Sequence, residues 1–344
     1  FYWLFYAIVK RRIGWIALLS VIVCSMREDT AFGTIAIGLY LIASGYWPRL
    51  GGVLAVVSTL WFMLNKFVIM PWAGPWWFAD IYKDLIATGE KGYGSVVKTI
   101  LINPNFFLKL LVNESKSVYA LHLLAPLALL PLRHPALWLL MLPGFFVTLM
   151  TTGYAPTISI AFQYTTTWIP FLFAATAIAL RLRARALGHG AQRASVVALC
   201  IGVLCHSYIF GAIMQHNTFI GGFSPVYFEM SPGEEKRYED LRAVASKIPD
   251  KASVAATELE IPHVSTRLDA FTLKVTDGGA DYLFVDKHHV DSEARQHLHQ
   301  ALKHAPYGLV AKQGEFFLFA KGKSSKDTDA ALRTLGLYGS YARH

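Results

Sequence analysis

The chain of 344 residues is 54% hydrophobic and only 16% charged, whereas a soluble domain carries about a quarter charged residues. Residues 1–214 contain 16 Lys and Arg against 6 Asp and Glu, and the remainder of the chain is almost neutral. This composition argues against a soluble globular enzyme and against a nucleic-acid-binding protein, and it is typical of a membrane protein with a soluble domain.

Apolar segments fill the first 214 residues. Several are shorter than the roughly 20 residues that cross a bilayer. Because the chain opens inside an apolar run, we expect further helices before Phe1. The predicted fold class is an all-α polytopic membrane bundle with about eight helices in this chain. They are predicted at 1–9, 13–26, 31–47, 51–71, 117–132, 136–152, 166–180 and 194–214.

Basic residues occur in every second connection between these segments. They are Lys10–Arg12, Arg49, Arg133 and the arginines from Arg181 to Arg193. The positive-inside rule makes these loops cytoplasmic, and the alternate loops, with everything after Met214, extracytoplasmic. The long outer loop at 73–115, with Trp76 and Trp77, is predicted to form amphipathic helices at the membrane interface, or simply to cap the bundle.

A small extracytoplasmic α/β domain is predicted at 215–322. Ser231-Pro232-Gly233-Glu234 has the pattern of a capped helix start, and that helix should end near Lys247. The further elements are strands at Ser253–Thr257 and Asp281–Asp286, a helix at Asp291–His304, and a hairpin of Leu309–Lys312 with Glu315–Lys321. Strands that alternate with helices indicate an α/β layer. Residues 323–344 are predicted to be a flexible tail.

The most informative motif is Arg27-Glu28-Asp29, between two apolar segments at the predicted outer surface. Charged groups at membrane depth are costly, and they pair or line a cavity. Arginine can hold a phosphate through two hydrogen bonds. A nearby carboxylate can act as a general base or bind a metal ion that bridges a diphosphate. Arg27 is therefore a candidate phosphate ligand, and Glu28 and Asp29 are candidate catalytic carboxylates or metal ligands; an ordinary salt bridge in a polar turn is the alternative.

Two other outer loops supply candidate binding residues. Gln163 and Tyr164 suit recognition of a sugar or a lipid headgroup, and an interfacial aromatic belt would look the same. His263 and Arg267 follow the strand at Ser253–Thr257, where α/β sheets usually bind ligands; a solvated loop is the alternative. No metal site is predicted, because no Cys or HExxH motif accompanies the solvated histidines at 288, 289, 297, 299 and 304.

Several of these motifs, in this order, resemble the DUF2079 family of bacterial membrane proteins over about residues 1–320. They include Arg27–Ala31 with Gly38–Leu41, Gln163–Phe171 and Pro262–Arg267. That family looks like the GT-C superfamily of glycosyltransferases, which take a sugar from a polyprenyl-phosphate carrier outside the cytoplasm. In that superfamily the catalytic acid usually lies in the first outer loop, which we expect this chain to lack. A basic–acidic pair in a later loop often contacts the donor phosphate or a metal ion. The resemblance implies this role for Arg27, Glu28 and Asp29.

The resemblance implies that the bundle is GT-C-like. It also implies a glycosyltransferase-like protein of the bacterial inner membrane, multi-pass, with its C-terminal domain extracytoplasmic. Its expected partners are the lipid bilayer, a polyprenyl-phosphate sugar donor and an unidentified acceptor, with no nucleic acid; a divalent metal ion is an optional cofactor. A non-catalytic envelope scaffold is left open as an alternative. A transporter is also left open, although it would place polar residues inside several helices, where Lys66 is the main example.

Overall fold

The chain divides into two units, Phe1–Phe228 and Glu229–His344. The computed structural model describes residues 1–73, 78–90, 92–211, 214, 218–221 and 224–337. Trp76 and Trp77, which are expected at the membrane interface, lie outside the described residues. The end of the expected flexible tail, from residue 338, lies outside them as well.

The first unit is built mainly of helices, as expected from its apolar segments. In chain order they are α1 (Tyr2–Val9), α2 (Ile13–Met26), α3 (Thr30–Ala43), α4 (Pro48–Leu64), α5 (Met70–Ala73), α6 (Tyr93–Ile102), α7 (Pro104–Leu111), α8 (Glu114–Leu124), α9 (Pro135–Trp138), α10 (Leu142–Gly144) and α11 (Ile169–Phe210). A π-helical turn, Asn65–Ile69, joins α4 to α5. The unit ends with a hairpin of β1 (Thr218–Gly221) and β2 (Ser224–Tyr227).

Two predicted segments are not continuous helices. The segment at 117–132 leaves α8 after Leu124 and continues as short 3-10 turns. The segment at 136–152 is divided among α9, a 3-10 turn, α10 and a π-helical turn. Prolines explain much of this difference, since Pro126, Pro131 and Pro143 lie in these stretches and proline cannot donate a helical hydrogen bond. The apolar pattern alone does not detect such breaks.

The predicted segments at 166–180 and 194–214 correspond to the two halves of α11. Gly188 separates them with a positive φ of 81°, a conformation that favours glycine. The chain reverses there, because residues near both ends, Leu172 and His206, line one cleft of about 240 Å³. Arg183 Nε also donates to the carbonyl of Ala191 at 3.3 Å across the turn.

Two helices in the described part of the chain are long and apolar enough to cross a membrane by length and composition, Pro48–Trp72 and Ile169–Phe210. Shorter apolar helices are Ile13–Met26, Thr30–Ala43, Tyr93–Ile102 and Pro135–Leu149. The predicted, mostly helical fold is therefore confirmed, whereas a polytopic bundle of about eight crossing helices stays a prediction.

Basic turns gather at one end of the first unit. Arg11 lies 5.5 Å from the ring centre of Trp47, beside the turn that precedes α4. Tyr46, His134, Arg181 and Arg185 line a common cleft of about 540 Å³. Because α2 runs from Ile13 to Met26, the turn that follows it at Arg27 lies at the opposite end.

The second unit contains a five-stranded mixed sheet with strand order β4-β3-β5-β7-β6. β3 is parallel to both β4 and β5, and β5, β7 and β6 are antiparallel. The predicted α/β layer and the predicted hairpin are thus present. The elements are α12 (Pro232–Ala245), β3 (Val254–Ala256), β4 (Ala270–Thr272), β5 (Tyr282–Asp286), α13 (Ser292–His304), β6 (Tyr307–Gln313), β7 (Phe316–Lys321) and α14 (Thr328–Thr334).

Both faces of this sheet are buried. Leu283 and Val285 of β5 pack in one core with α13 and α14, and Phe284 packs in a second core with α12. Successive residues of a strand point to opposite faces, so an unbroken apolar strand fits a sheet covered on both sides. Ser231 and Glu234 form the predicted capping box at the start of α12.

The prediction of a flexible tail over residues 323–344 is wrong for residues 328–337. Residues Thr328–Thr334 form α14, and Leu332, Leu335 and Leu337 are buried in the core that contains α13. The polar run after Gly322 resembles a disordered tail, but it is a connection to a short helix whose stability comes from packing on the sheet.

Candidate functional site

Arg27, Glu28 and Asp29 lie in the tight turn between α2 and α3. Thr30 closes this turn, because its Oγ1 lies 2.5 Å from the carbonyl oxygen of Val23 and 2.6 Å from that of Arg27. A turn of so few residues holds the three charged side chains next to one another at the end of two apolar helices.

The ion pair of Arg27 with Asp29 is partly sheltered from solvent. Arg27 Nη2 donates to Asp29 Oδ2 at 2.8 Å. Asp29 is only 6% exposed, and its other oxygen, Oδ1, has no hydrogen-bond partner from any other described residue. Burial raises the pKa of Asp29, and the charge of Arg27 opposes that rise. A buried carboxylate oxygen without a protein partner is rare, and strain, an ordered water or a bound ligand or ion accounts for such cases.

Lys66 supplies a second cation to this turn. It lies in the π-helical turn Asn65–Ile69, is 2% exposed, and interacts electrostatically with Glu28 and Asp29. Its Nζ also lies 5.7 Å from the ring centre of Tyr93. π-Helical turns are frequent at functional sites. We call Arg27, Glu28, Asp29 and Lys66 the turn cluster.

Two tyrosines from the 78–102 region approach the turn cluster. The Tyr82 hydroxyl donates to the carbonyl of Phe146 at 2.9 Å, and its ring centre lies 5.9 Å from that of Tyr93. Burial, followed by the charge of Asp29, raises the pKa of Tyr82. Burial raises the pKa of Tyr93 too, with smaller contributions from Tyr82 and Glu28. Both hydroxyls therefore stay protonated and can donate hydrogen bonds.

Tyr164 also lies near the turn cluster. Burial raises the pKa of Tyr164, and Tyr154 adds to this rise. The positive charge of Arg27 opposes the rise, which means that Arg27 interacts electrostatically with the Tyr164 hydroxyl. Its ring centre is 6.0 Å from that of Tyr154. Gln163 is exposed and hydrogen-bonds to Tyr164. Two loops that are separate in the sequence, at 27–29 and 163–164, are thus close enough in the first unit for electrostatic interaction.

A polar cleft of about 510 Å³ adjoins Tyr154. Lys116, which is 4% exposed, lines it and interacts electrostatically with Asp84. The backbone N–H of Asp84 donates to Thr152 Oγ1 at 3.1 Å. The size of this cleft suits a small organic ligand, since such ligand pockets span roughly 300–1,000 Å³.

His263 and Arg267 belong to the second unit. Arg267 Nη2 donates to the carbonyl of Ile248 at 2.8 Å, and its Nε to that of Pro249 at 3.3 Å. These bonds tie the loop to the end of α12. The ring of His263 lies 6.0 Å from that of Tyr238. A role of His263 and Arg267 in substrate binding stays a prediction.

One group of residues in the second unit could hold a metal ion. Glu260, Asp286 and His289 each offer a ligand atom, and these atoms lie within 4.8 Å of one another. The expectation that His289 is merely solvated is therefore wrong: its Nδ1 lies 2.9 Å from Glu260 Oε1. Spacing along the sequence could not show this, because the parallel pairing of β3 and β5 brings the residues together.

Lys66, Tyr82 and Tyr93 are further residues that sequence reasoning did not assign to the site. Lys66 could have been assigned from the sequence, since a lysine inside an apolar helix needs a partner. The two tyrosines gave none, because the sequence of the 73–115 loop does not indicate which of its aromatic residues face the turn.

Comparison with known proteins identifies the family and not the activity. No curated protein and no solved structure matches the chain. These comparisons therefore do not show a relation to the GT-C glycosyltransferases, and that relation is part of the proposed function. A family model described as predicted membrane protein (DUF2079) matches residues 1–317. The expected resemblance is thereby confirmed, and the chain belongs to the DUF2079 family of predicted membrane proteins.

Proposed function

We propose that this protein is a membrane glycosyltransferase that transfers a sugar from a polyprenyl-phosphate donor to an acceptor at the extracytoplasmic face of the bacterial inner membrane. The observation that carries the proposal is the turn cluster. Two cations and two carboxylates meet at the end of apolar helices, and one carboxylate oxygen, Asp29 Oδ1, lacks a partner from another described residue.

Arg27 is the proposed phosphate ligand. Its side chain is 39% exposed although it is paired with Asp29. A guanidinium has five N–H donors, so it can remain bonded to one carboxylate and still face a phosphate. Its position at the end of α2 suits a donor whose polyprenyl tail stays in the bilayer while its phosphate lies at the surface.

Glu28 is the proposed general base, and Asp29 positions Arg27. Glu28 is only half-buried, whereas Asp29 is buried and already bonded to the guanidinium. In the proposed reaction the acceptor hydroxyl oxygen bonds to the anomeric carbon of the sugar and loses its proton to Glu28. The bond between that carbon and the phosphate oxygen breaks, and the bonding electron pair leaves with the polyprenyl phosphate.

A divalent metal ion is an optional part of this site. Carboxylate oxygens are the donors that Mg²⁺ and Mn²⁺ prefer, so Glu28 and the unpartnered Oδ1 of Asp29 fit such an ion. When bound, it would offset the charge of the donor phosphate. Gln163 and Tyr164 are the proposed contacts to the sugar or the headgroup, and His263 and Arg267 are kept as further candidates.

The test is a transfer assay on the purified full-length protein with radiolabelled polyprenyl-phosphate sugars, with and without EDTA. We expect Glu28→Gln to lower turnover by about 100-fold or more, and Arg27→Gln to raise KM for the donor. Glu90→Gln is the matched control, because Glu90 pairs with Lys98 at the surface, outside the turn cluster. Full activity of both Glu28→Gln and Asp29→Asn would refute the proposal. No turnover by the wild type with any common donor would favour the envelope scaffold.

A further inference from the structure

The second unit carries a buried group of acidic and imidazole side chains at one edge of its sheet. Glu260 follows β3, Asp286 is the last residue of β5, and His289 lies in the turn after β5. β3 and β5 are adjacent and parallel, with Ala256 opposite Phe284. Their carboxyl ends therefore meet at the same edge, which is where α/β sheets usually bind ligands.

The three side chains are oriented toward one point. His289 Nδ1 lies 2.9 Å from Glu260 Oε1 and 3.3 Å from Asp286 Oδ2. Other groups hold the outer oxygens: Thr257 Oγ1 donates to Glu260 Oε2 at 2.5 Å, and the backbone N–H of His288 donates to Asp286 Oδ1 at 2.9 Å. Carboxylates that bind metals are typically fixed in this way through their second oxygen.

The two carboxylates of this group outnumber the permanently charged cation that faces them. Glu260 is 1% and Asp286 0% exposed. Among the residues that the structure describes, one guanidinium, that of Arg237, faces them. It contacts Asp286 Oδ2 and lies 3.9 Å from Glu260 Oε1. With a neutral imidazole the group keeps one net negative charge, and a buried net charge is costly. A divalent cation in place of the guanidinium would bring the charge to zero.

The guanidinium of Arg237 can move away from the two carboxylates toward solvent. Its side chain is 38% exposed and stands on the surface of α12, where its guanidinium also lies 4.8 Å from the ring centre of Phe316. His289 is 27% exposed, so the ligand atoms are reachable from solvent.

We propose that Glu260, Asp286 and His289 form a binding site for a divalent transition-metal ion, of the class of Zn²⁺ or Mn²⁺, and that Arg237 occupies this position when no ion is bound. Two carboxylates and one imidazole are a donor set that suits these ions, and three protein ligands leave a position for water or substrate. The proposal does not depend on the proposed glycosyl transfer.

The test uses the full-length protein, stripped with EDTA, dialysed, and titrated with Mn²⁺ while free Mn²⁺ is followed by electron paramagnetic resonance. A second stripped sample is loaded with Zn²⁺ and dialysed, and the Zn²⁺ that it retains is measured by elemental analysis. We expect His289→Gln and Glu260→Gln to weaken binding by at least about tenfold. His297→Gln is the matched control, because His297 belongs to the same unit and hydrogen-bonds to the carbonyl of Leu273. Glu28→Gln with Asp29→Asn should still bind Mn²⁺ at Glu260, Asp286 and His289, so any ion that this variant alone loses belongs to the turn cluster.

Arg237→Gln distinguishes a metal site from a purely structural ion pair. Since it removes the competing cation, it should bind Mn²⁺ more tightly than the wild type. The proposal is overturned if the wild type retains no ion, if His289→Gln retains as much as the wild type, or if Arg237→Gln, still folded by circular dichroism, binds less. His289→Gln keeps the test decisive even where Glu260→Gln fails to fold, because His289 is partly exposed.

Discussion

At the scale of single residues, the turn cluster depends on mutual compensation of buried charges. Lys66 and Asp29 are 2% and 6% exposed, and neither would be stable there as an isolated ion. Their attraction, with that of Arg27, offsets the loss of hydration. Removing one partner of such a pair costs far more than removing both, because it leaves the other charge buried and uncompensated.

This predicts coupling between Asp29→Asn and Lys66→Met in a double-mutant cycle. The two changes together should destabilise the protein less than the sum of the single changes, by about 0.5–3 kcal/mol. The measurement is the free energy of unfolding of the full-length protein in detergent. Glu90→Gln with Lys98→Met is the control pair, which should couple by less than about 1 kcal/mol because both side chains are exposed enough to remain hydrated. Additive effects at Asp29 and Lys66 would show that their charges do not compensate each other.

At the scale of elements, α3 and α4 approach closely because both have glycine at the contact. A Cβ on Gly51 would lie 2.5 Å from the carbonyl oxygen of Gly38, and one on Gly38 would lie 2.6 Å from that of Gly51. Small residues at helix contacts are typical of membrane helices, which gain little from hydrophobic burial and associate through close packing. This packing supports the turn cluster, since α3 begins next to Asp29.

We therefore expect Gly51→Val to separate α3 from α4 and to lower the free energy of unfolding by about 1–3 kcal/mol. Gly52→Val is the matched control on the same helix, because a Cβ at Gly52 meets no described atom within 4 Å. Unfolding in detergent measures both. Equal stability of the two variants would mean that the close approach of α3 and α4 contributes nothing.

Local signals account for the elements that sequence reasoning predicted well. The capping box at Ser231 and Glu234 defines the start of α12 through bonds within one turn, and the turn at Gly314 joins β6 to β7. α14 is different, because a helix of this length is marginal by itself. Its leucines are stabilised by a core whose other residues lie far away in the sequence.

The candidate sites show the same limit. Arg27, Glu28 and Asp29 are neighbours in the chain, so their proximity needed no fold. Lys66 joins them through the packing of the helices, and Tyr164 approaches Arg27 only after the chain has reversed at several turns. Spacing along the chain does not encode such contacts. The resemblance of the whole chain to one family was visible because it depends on many weak motifs in a fixed order.

At the scale of the whole molecule, the distribution of charge within the first unit is the basis of its predicted membrane topology. Arg11, the cleft at Tyr46 and His134, and the arginines at the turn of α11 lie at one end, while Arg27 lies at the other. α11 has 42 residues, about 63 Å of helix, which is twice the thickness of the bilayer core. Its reversal at Gly188 therefore allows each half to cross once. The positive-inside rule then predicts that the arginine-rich turn is cytoplasmic and the turn cluster extracytoplasmic.

This topology predicts opposite labelling of two introduced cysteines. In a background in which Cys24, Cys200 and Cys205 are replaced by Ser, Gly190→Cys marks the arginine-rich turn, and Lys251→Cys marks an exposed position of the second unit. A membrane-impermeant maleimide applied to cells with a permeabilised outer membrane should label Lys251→Cys alone, and lysis should make both react. Both positions are open, since a Cβ at Gly190 meets no described atom within 4 Å, so a missing label reports sidedness and not burial. Labelling of Gly190→Cys before lysis would show that the orientation is the opposite of the predicted one. The turn cluster would then face the cytoplasm, where an extracytoplasmic transfer from a polyprenyl-phosphate donor could not occur.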